Sequence, residues 1–243
     1  MSSLHRSHGD YVTRSFVFPN SKIDDLKAKI TSMTMETGEH IMNLTRVEAL
    51  TWLIHKCAVA AACKTNSGIF KPTGVGHSMN MRDKLVEPLP ETSVGNFYLL
   101  MEFPTMSESE LTPNKIIGEL RKRKKEFQSI RNTETALDIV EEMCSDHNAR
   151  LEISKRLDDY YIYTAIHRFP TYGINFGWGK PIKVTIGGVN LKNVIIMMDT
   201  PNGDGIEALL SLGKQDMKII QNDPELLAFS KECNARINVT NAI

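Results

Sequence analysis

The chain has 243 residues, of which 41% are hydrophobic, 7% aromatic and 24% charged, and its 29 basic and 29 acidic side chains cancel to a formal charge of zero. That length can bury a real core as one large domain or two small ones, with a composition ordinary for a soluble globular protein. No net positive field exists to favour nucleic acid or an anionic membrane as main partner.

In chain order, Met1–Asp10 is polar, without the apolar run of a secretory signal, and is read with Tyr11 as a flexible tail, residues 1–11. Residues 13–18 (TRSFVF) have strand composition. After Pro19, Ile23, Leu26 and Ile30 recur at helical spacing, with Asn20 or Ser21 available as N-cap. Thr45-Arg46-Val47-Glu48 is a capping box, and Val47, Leu50, Ile54, Cys57, Ala58 and Ala61 mark one buried face of a helix ending near Cys63. Residues 68–82 and 94–103 read as extended segments joined through Pro88 and Pro90. Thr112-Pro113 opens a helix to about Ile130, and two more are expected at 134–144 and 149–157. A strand follows at 160–168, then a hairpin of 182–187 with 193–198 around Gly187-Gly188-Val189-Asn190. A short strand near 206–212 and helices near 214–222 and 224–230 complete a single domain, 12–232, before a tail at 233–243. Interleaved strands and helices with hairpins among them predict the α/β class with a mixed sheet and flanking helices.

No run approaches the roughly 18 consecutive apolar residues of a membrane span. None of the four cysteines, Cys57, Cys63, Cys144 and Cys233, forms a C-x-x-C pair, so buried thiols in a reduced, cytoplasmic chain are expected.

The usual emblems of chemistry are missing. There is no G-x-S-x-G, P-loop or H-E-x-x-H. His5, His8 and Asp10 fall in the tail, and no metal set is assigned. His55 and Cys57 stand two apart on a helix and cannot face each other. Arg121–Lys125 reads as a solvated helix face. His167-Arg168 ends the aromatic strand, a place where α/β folds often carry sites, yet a histidine that merely terminates a strand is the simpler reading.

Four blocks in order do carry a resemblance. They are Thr45–Leu50 with Trp52 and Lys56-Cys57; Asn80-Met81-Arg82 with Pro88-Leu89-Pro90 and Gly95-Asn96; Arg168–Tyr172 leading into Asn175–Pro181 (NFGWGKP); and Pro201–Ala208 (PNGDGIEA). Together they resemble the plant BAHD acyl-CoA-dependent acyltransferases in their C-terminal half, nearest in character to the vinorine-synthase-like alkaloid acetyltransferases.

The resemblance implies a chloramphenicol-acetyltransferase-like half, the C-terminal domain of a two-domain acyltransferase. It also implies acyl-CoA (acetyl-CoA) as co-substrate, with no bound cofactor, and a small-molecule alcohol as acceptor. The family's base is a histidine in H-x-x-x-D, needed because a neutral alcohol is a poor nucleophile. Four residues beyond each of the seven histidines stand Gly9, Val12, Leu44, Val59, Met81, Leu151 and Thr171, never Asp. The chain is therefore expected to contain no catalytic residue and to be inactive without an N-terminal domain or a full-length relative. The rival expectation is a non-catalytic paralogue that binds a ligand or a partner.

Within the matched positions, Thr45 and Arg46 at a helix N-terminus suit CoA phosphates, or else are simply a capped turn with an exposed arginine. Thr164 and Ala165 match the channel-lining strand of the family, with core packing as the alternative. Arg82 and Asn175 match an Arg–Asp pair read as structural, and the amide in place of the carboxylate should weaken it. Phe176, Gly177, Trp178 and Gly179 are expected to be architecture, with Trp178 supplying packing area. A half on its own should also expose apolar surface and self-associate.

Overall fold

In chain order the elements are β1 (Tyr11–Pro19), α1 (Asn20–Glu36), α2 (Arg46–Thr65), β2 (Thr73–Asn80), β3 (Tyr98–Thr105), α3 (Pro113–Ser129), β4 (Asp159–Ala165), β5 (Val194–Asp199), β6 (Gly205–Gly213), α4 (Lys214–Ile220), α5 (Pro224–Phe229) and β7 (Lys231–Cys233). The structure is a computed structural model that describes residues 11–38, 40–82, 90, 92–95, 98–129, 159–186 and 191–233. The tails and the helices expected at 134–144 and 149–157 fall largely or wholly outside these residues. The chain divides into two compact units, Met1–Ile69 with Thr164–Ile243, and Phe70–Tyr163.

In the first unit the strand order is β5-β6-β1-β7, every pair antiparallel. β1 runs along all of β6, from Tyr11 opposite Gly213 to Pro19 opposite Gly205. Side chains alternate across a sheet, so Phe16 and Phe18 share a face with Ala208 and Ile206 opposite them, and with Met197 opposite Ala208 on β5. All five are 0% exposed. Each large one contributes on the order of 1.5–3 kcal/mol by leaving water.

α1 and α4 pack on β1 and β6, while α2 packs on α1, α4 and α5. That central position changes the expectation for α2. Its burial extends well beyond one face to Ala49, Thr51, Trp52, Leu53, His55 and Val59, because three helices surround it. The capping box is present as expected, with the Thr45 hydroxyl accepting from the Glu48 amide and Glu48 reaching back to the Thr45 amide. At the other end of the bundle, Glu225 of α5 accepts from Lys29 of α1 at 2.8 Å and Lys56 of α2 at 2.7 Å. Burial pushes the Glu225 carboxyl up, but the two ammonium groups outweigh it and hold the group below its ordinary range.

In the second unit the order is β3-β2-β4, with β2 antiparallel to β3 and parallel to β4. The sheet is therefore mixed, as the sequence predicts. Val75, His77 and Met79 line one buried face with Phe103, Met101 and Leu99 opposite on β3, and Tyr161 and Tyr163 opposite on β4. On the other face the Tyr160 hydroxyl reaches across β2 to hydrogen-bond the Glu102 carboxylate. Gly76 makes this crossing possible, since a Cβ there would meet the Tyr160 oxygen at 2.5 Å.

Three sequence expectations are corrected. Pro19, not Asn20 or Ser21, is the N-cap of α1, and no side chain caps that helix. The strand expected over 160–168 stops at Ala165. The strand expected at 182–187 does not form over its described residues, 182–186, and β5 folds back onto β6 through Thr200–Asp204. Gly203 in that turn has φ 68°, a conformation that favours glycine.

Candidate functional site

In the first unit, the end of β5 and the turn at Arg168 meet the starts of α1 and α2, and one polar network joins them. The turn after β5 is closed internally by the Thr200 hydroxyl donating to Asp204 Oδ1 at 2.5 Å. It is stitched to α1 by the Asn20 amide donating to the Asp204 carbonyl at 2.8 Å and by Asn20 Nδ2 donating to the Gly203 carbonyl at 3.2 Å. Arg46, the first residue of α2, donates from Nη1 to Asn20 Oδ1 at 3.1 Å and places Nη2 4.0 Å from Asp199 Oδ1. The second Asp199 oxygen accepts the Arg168 backbone amide at 2.6 Å.

That last bond has a conformational consequence. Arg168 lies at φ 66°, a left-handed backbone that non-glycine residues seldom adopt, and a charged acceptor on its amide holds it there. Asp199 was not among the sequence candidates. Its only local signal is an aspartate closing the apolar run Val194–Met198 just before a glycine turn.

Thr45 and Arg46 therefore stand as follows. The Thr45 amide and hydroxyl both donate to Glu48 Oε2, at 2.8 and 2.9 Å, so a carboxylate already occupies that corner of the helix end. Arg46 is half-buried and tied to Asn20 and Asp199, and so differs from the exposed arginine of the simpler reading. Thr164 and Ala165 are half-buried at the end of β4.

The described histidines differ sharply. His55 is fully buried in α2, and loss of hydration lowers its pKa to about 3. His77 is buried in β2, its ring stacked on Tyr163 with centroids 6.2 Å apart. His40 is exposed. His167 is half-buried beside the network. Burial lowers its pKa first, the Asp199 charge opposes this, and Arg168 and Arg46 reinforce the lowering. No hydrogen bond joins His167 to Asp199 among the described residues, so the two do not form a dyad. The Cys57 thiol is pushed well up by burial and by the nearby Asp223 and Glu225 charges, which makes it a poor nucleophile. Among the described residues, no group of three or more His, Cys, Asp or Glu is placed to hold a metal, and no helix is long and apolar enough to cross a membrane.

The F-G-W-G block is built locally. Asn175 Oδ1 accepts from the Gly177 amide at 2.8 Å and the Gly179 amide at 3.1 Å. Both glycines adopt positive φ, 108° and 109°. The amide side chain thus fixes this loop through its oxygen, without needing a charge. Arg82, in the second unit, donates to Asn80 Oδ1 at 3.3 Å and to the Gly95 carbonyl. Contrary to the expected packing role, Phe176 is 73% and Trp178 85% exposed, because within this chain no described element covers them.

Comparison with known proteins places these features in context. The family model described as the Transferase family matches residues 3–227. Akuammiline synthase 1 of Alstonia scholaris is 35% identical over 229 residues, covering 93% of this chain and 51% of that protein. Deacetylvindoline O-acetyltransferase of Catharanthus roseus is 35% identical over 231 residues, covering 90% and 51%. Among solved structures, vinorine synthase superposes with a TM-score of 0.70 at 25% identity, covering 91% of this chain and 48% of that one. TRI101 of F. graminearum, solved with coenzyme A and deoxynivalenol, gives 0.68 at 14% identity over 93% and 50%, a likeness of fold alone. The chain spans about half the length of the curated relatives it matches, and it corresponds to their C-terminal half.

Proposed function

Because the chain belongs to the Transferase family, that of the BAHD acyltransferases, we propose that it acts as the C-terminal half of an acyl-CoA-dependent O-acyltransferase. The reaction moves an acyl group, acetyl in the narrowest form, from the CoA thioester to a hydroxyl of a plant specialised metabolite such as an alkaloid. The observation that supports this most is the identity of about a third, over nine-tenths of the chain, with a protein named as an O-acetyltransferase.

The chemistry needs a base to take the hydroxyl proton as the oxygen attacks the thioester carbonyl, with CoA leaving as the thiol. None of this chain's histidines has Asp four residues on. His55 and His77 are interior groups of the fold. In this reading the imidazole comes from an N-terminal domain or a full-length relative. Arg46, steadied by Asn20 and Asp199, is the proposed contact for a CoA phosphate, with Thr45 ordering the turn that carries it. Thr164 and Ala165, at the end of β4, are the proposed acceptor-side positions.

The test has two arms. Incubated alone with acetyl-CoA and a panel of alcohols, the purified chain should release no CoA thiol. Co-expressed with the amino-terminal half of a family relative, it should. Turnover by the chain alone would reveal a base unrecognised here and refute the two-half reading. The non-catalytic alternative rests on the same missing motif, and it predicts CoA or partner binding with no turnover in either arm.

A further inference from the structure

The last residues of β2 are His77-Ser78-Met79-Asn80, and Met81 follows directly. Alternate residues of a strand share a face, so His77 and Met79 point the same way, and Met101 stands directly opposite His77 on β3. Met81 joins Met79, Leu99 and Met101 in one buried cluster. An imidazole and three thioethers are thus gathered on one face within the second unit. Directly opposite side chains on paired strands start about 4.5–5.5 Å apart, and two residues along a strand span about 6.5 Å, so these groups are placed to converge on one small ion.

Packing alone does not account for the choice of residues. Burying a methionine loses more rotamer freedom than burying a valine or isoleucine, which also suit a strand better. β5 offers the contrast. Met197 and Met198 are buried too, but as sequence neighbours they face opposite sides of the sheet and cannot close on one ion. The His77 ring, by comparison, is set in place. Its Nδ1 donates to the Ser78 carbonyl at 3.2 Å, and its plane stacks on Tyr163 at 9° from parallel. With the proton on Nδ1, a neutral imidazole carries its lone pair on Nε2, the form in which histidine ligates a metal. His77 is 6% exposed, Met81 and Met101 7% and Met79 9%, so the cluster is shielded without being sealed.

We propose that His77, Met79, Met81 and Met101 form a binding site for a single soft monovalent metal ion, copper(I). Thioether sulfur is a soft, polarisable donor that copper(I) accepts, whereas hard cations prefer carboxylate and water. The ligand set carries no charge, and in a nearly dry place that suits a monovalent ion better than a divalent one. The lack of a grouped His, Cys, Asp and Glu set among the described residues does not bear on it, since thioethers supply most of the ligands. Bound there, the ion ties β2 to β3 through Met101. The site is independent of acyl transfer and adds a ligand to the second unit.

The experiment takes the full 243-residue chain, isotopically labelled at its methionine methyl carbons, with reactive thiols capped by N-ethylmaleimide so that cysteine does not compete. Silver(I) nitrate, a redox-stable stand-in for copper(I), is titrated in chloride-free buffer. Equilibrium dialysis should find one silver(I) per chain, and the methyl signals of Met79, Met81 and Met101 should shift together while that of Met197 stays in place. Copper(I) added under nitrogen should shift the same three, and zinc(II) should shift none. Met79→Leu and Met101→Leu, which conserve volume and apolar character, should each weaken uptake by about tenfold or more, and Met197→Leu should not. Melting and circular dichroism of each variant without metal separate a lost ligand from a lost fold.

Uptake that both leucine variants leave unchanged would place the ion on residual thiols and overturn the proposal. So would the absence of uptake, methyl signals that stay put, a response to silver(I) without one to copper(I), or a zinc(II) response equal to that of silver(I). Failure of the acyl-transfer reading would leave this site standing, because none of its four ligands takes part in that reading.

Discussion

Two tryptophans divide the first unit. Trp52 lies inside α2, 1% exposed, with the Lys56 ammonium 5.4 Å from its ring centroid. Trp178 sits on a glycine-framed loop, 85% exposed. Both belong to motif blocks that resemble the same family, yet one block is consumed by the chain's own interior while the other faces outward. The boundary between the two regimes is Arg168, whose amide is fixed by Asp199 and beyond which the apolar side chains are in solvent. A shared signature thus holds two kinds of block, one packed into this chain's interior and one held open at its surface.

The largest effect expected from this contrast is at Trp52. Trp52→Ala should cost about 3–5 kcal/mol in chemical denaturation, from lost transfer energy and a cavity that three surrounding helices cannot close. A cost under about 1 kcal/mol would mean that the interior around α2 is loosely packed and the division is false.

Next comes the buried imidazole of the same helix. His55 has a folded pKa of about 3 against about 6.5 for an ordinary solvated imidazole, so the unfolded chain binds the proton more readily. Stability is then fully present above pH 6.5 and is lost as pH falls towards 3, by about 2 kcal/mol between pH 7.5 and pH 5. Urea titrations at those two pH values check it, and His55→Gln should flatten the difference. An unchanged slope in that variant would assign the pH dependence to other groups.

Asp199 tests the boundary itself. Asp199→Ala removes a charged acceptor from the Arg168 amide and the weaker 4.0 Å pairing with Arg46. The expected loss is about 1–2 kcal/mol, most of it from the short bond, because part-exposed ion pairs contribute little. The His167 pKa should also fall further, since the Asp199 charge opposes its lowering. Proton NMR titration of His167 reads this separately from stability, and a rise in that pKa would contradict the placement of the two groups.

How much of this was legible in the sequence follows from what each feature depends on. The capping box at Thr45–Glu48 and the alternation in β1 are local signals, and both elements form where they were expected. Residues 182–186 form no strand despite their β-branched composition, because β propensity reports a fit to a pleated surface and cannot say whether a neighbouring strand exists. The network of Asn20, Arg46, Arg168 and Asp199 was invisible because its members lie on four separate elements or turns, and only the fold brings them together. The exposure of Trp178 was unreadable for a related reason. Aromatic composition marks area that gains by burial, but it does not say whether the covering surface belongs to the same chain.

The smallest expected effect is therefore the most telling. In the chain alone, Trp178→Ala should shift stability by no more than about 0.5 kcal/mol, since the side chain is already hydrated in the folded state and little burial is lost. Asn175→Ala on the same loop should cost more, about 1 kcal/mol, because it strips an acceptor from two amides at once. That order, in which a glycine-loop amide matters more than the tryptophan beside it, reverses what side-chain size alone would suggest. It holds only if the loop is built from its own backbone contacts and its rings are reserved for something else. Were Trp178→Ala to cost as much as Trp52→Ala, the ring would be buried in solution by this chain or a copy of it, and the division between a settled interior and an open surface would have to be redrawn.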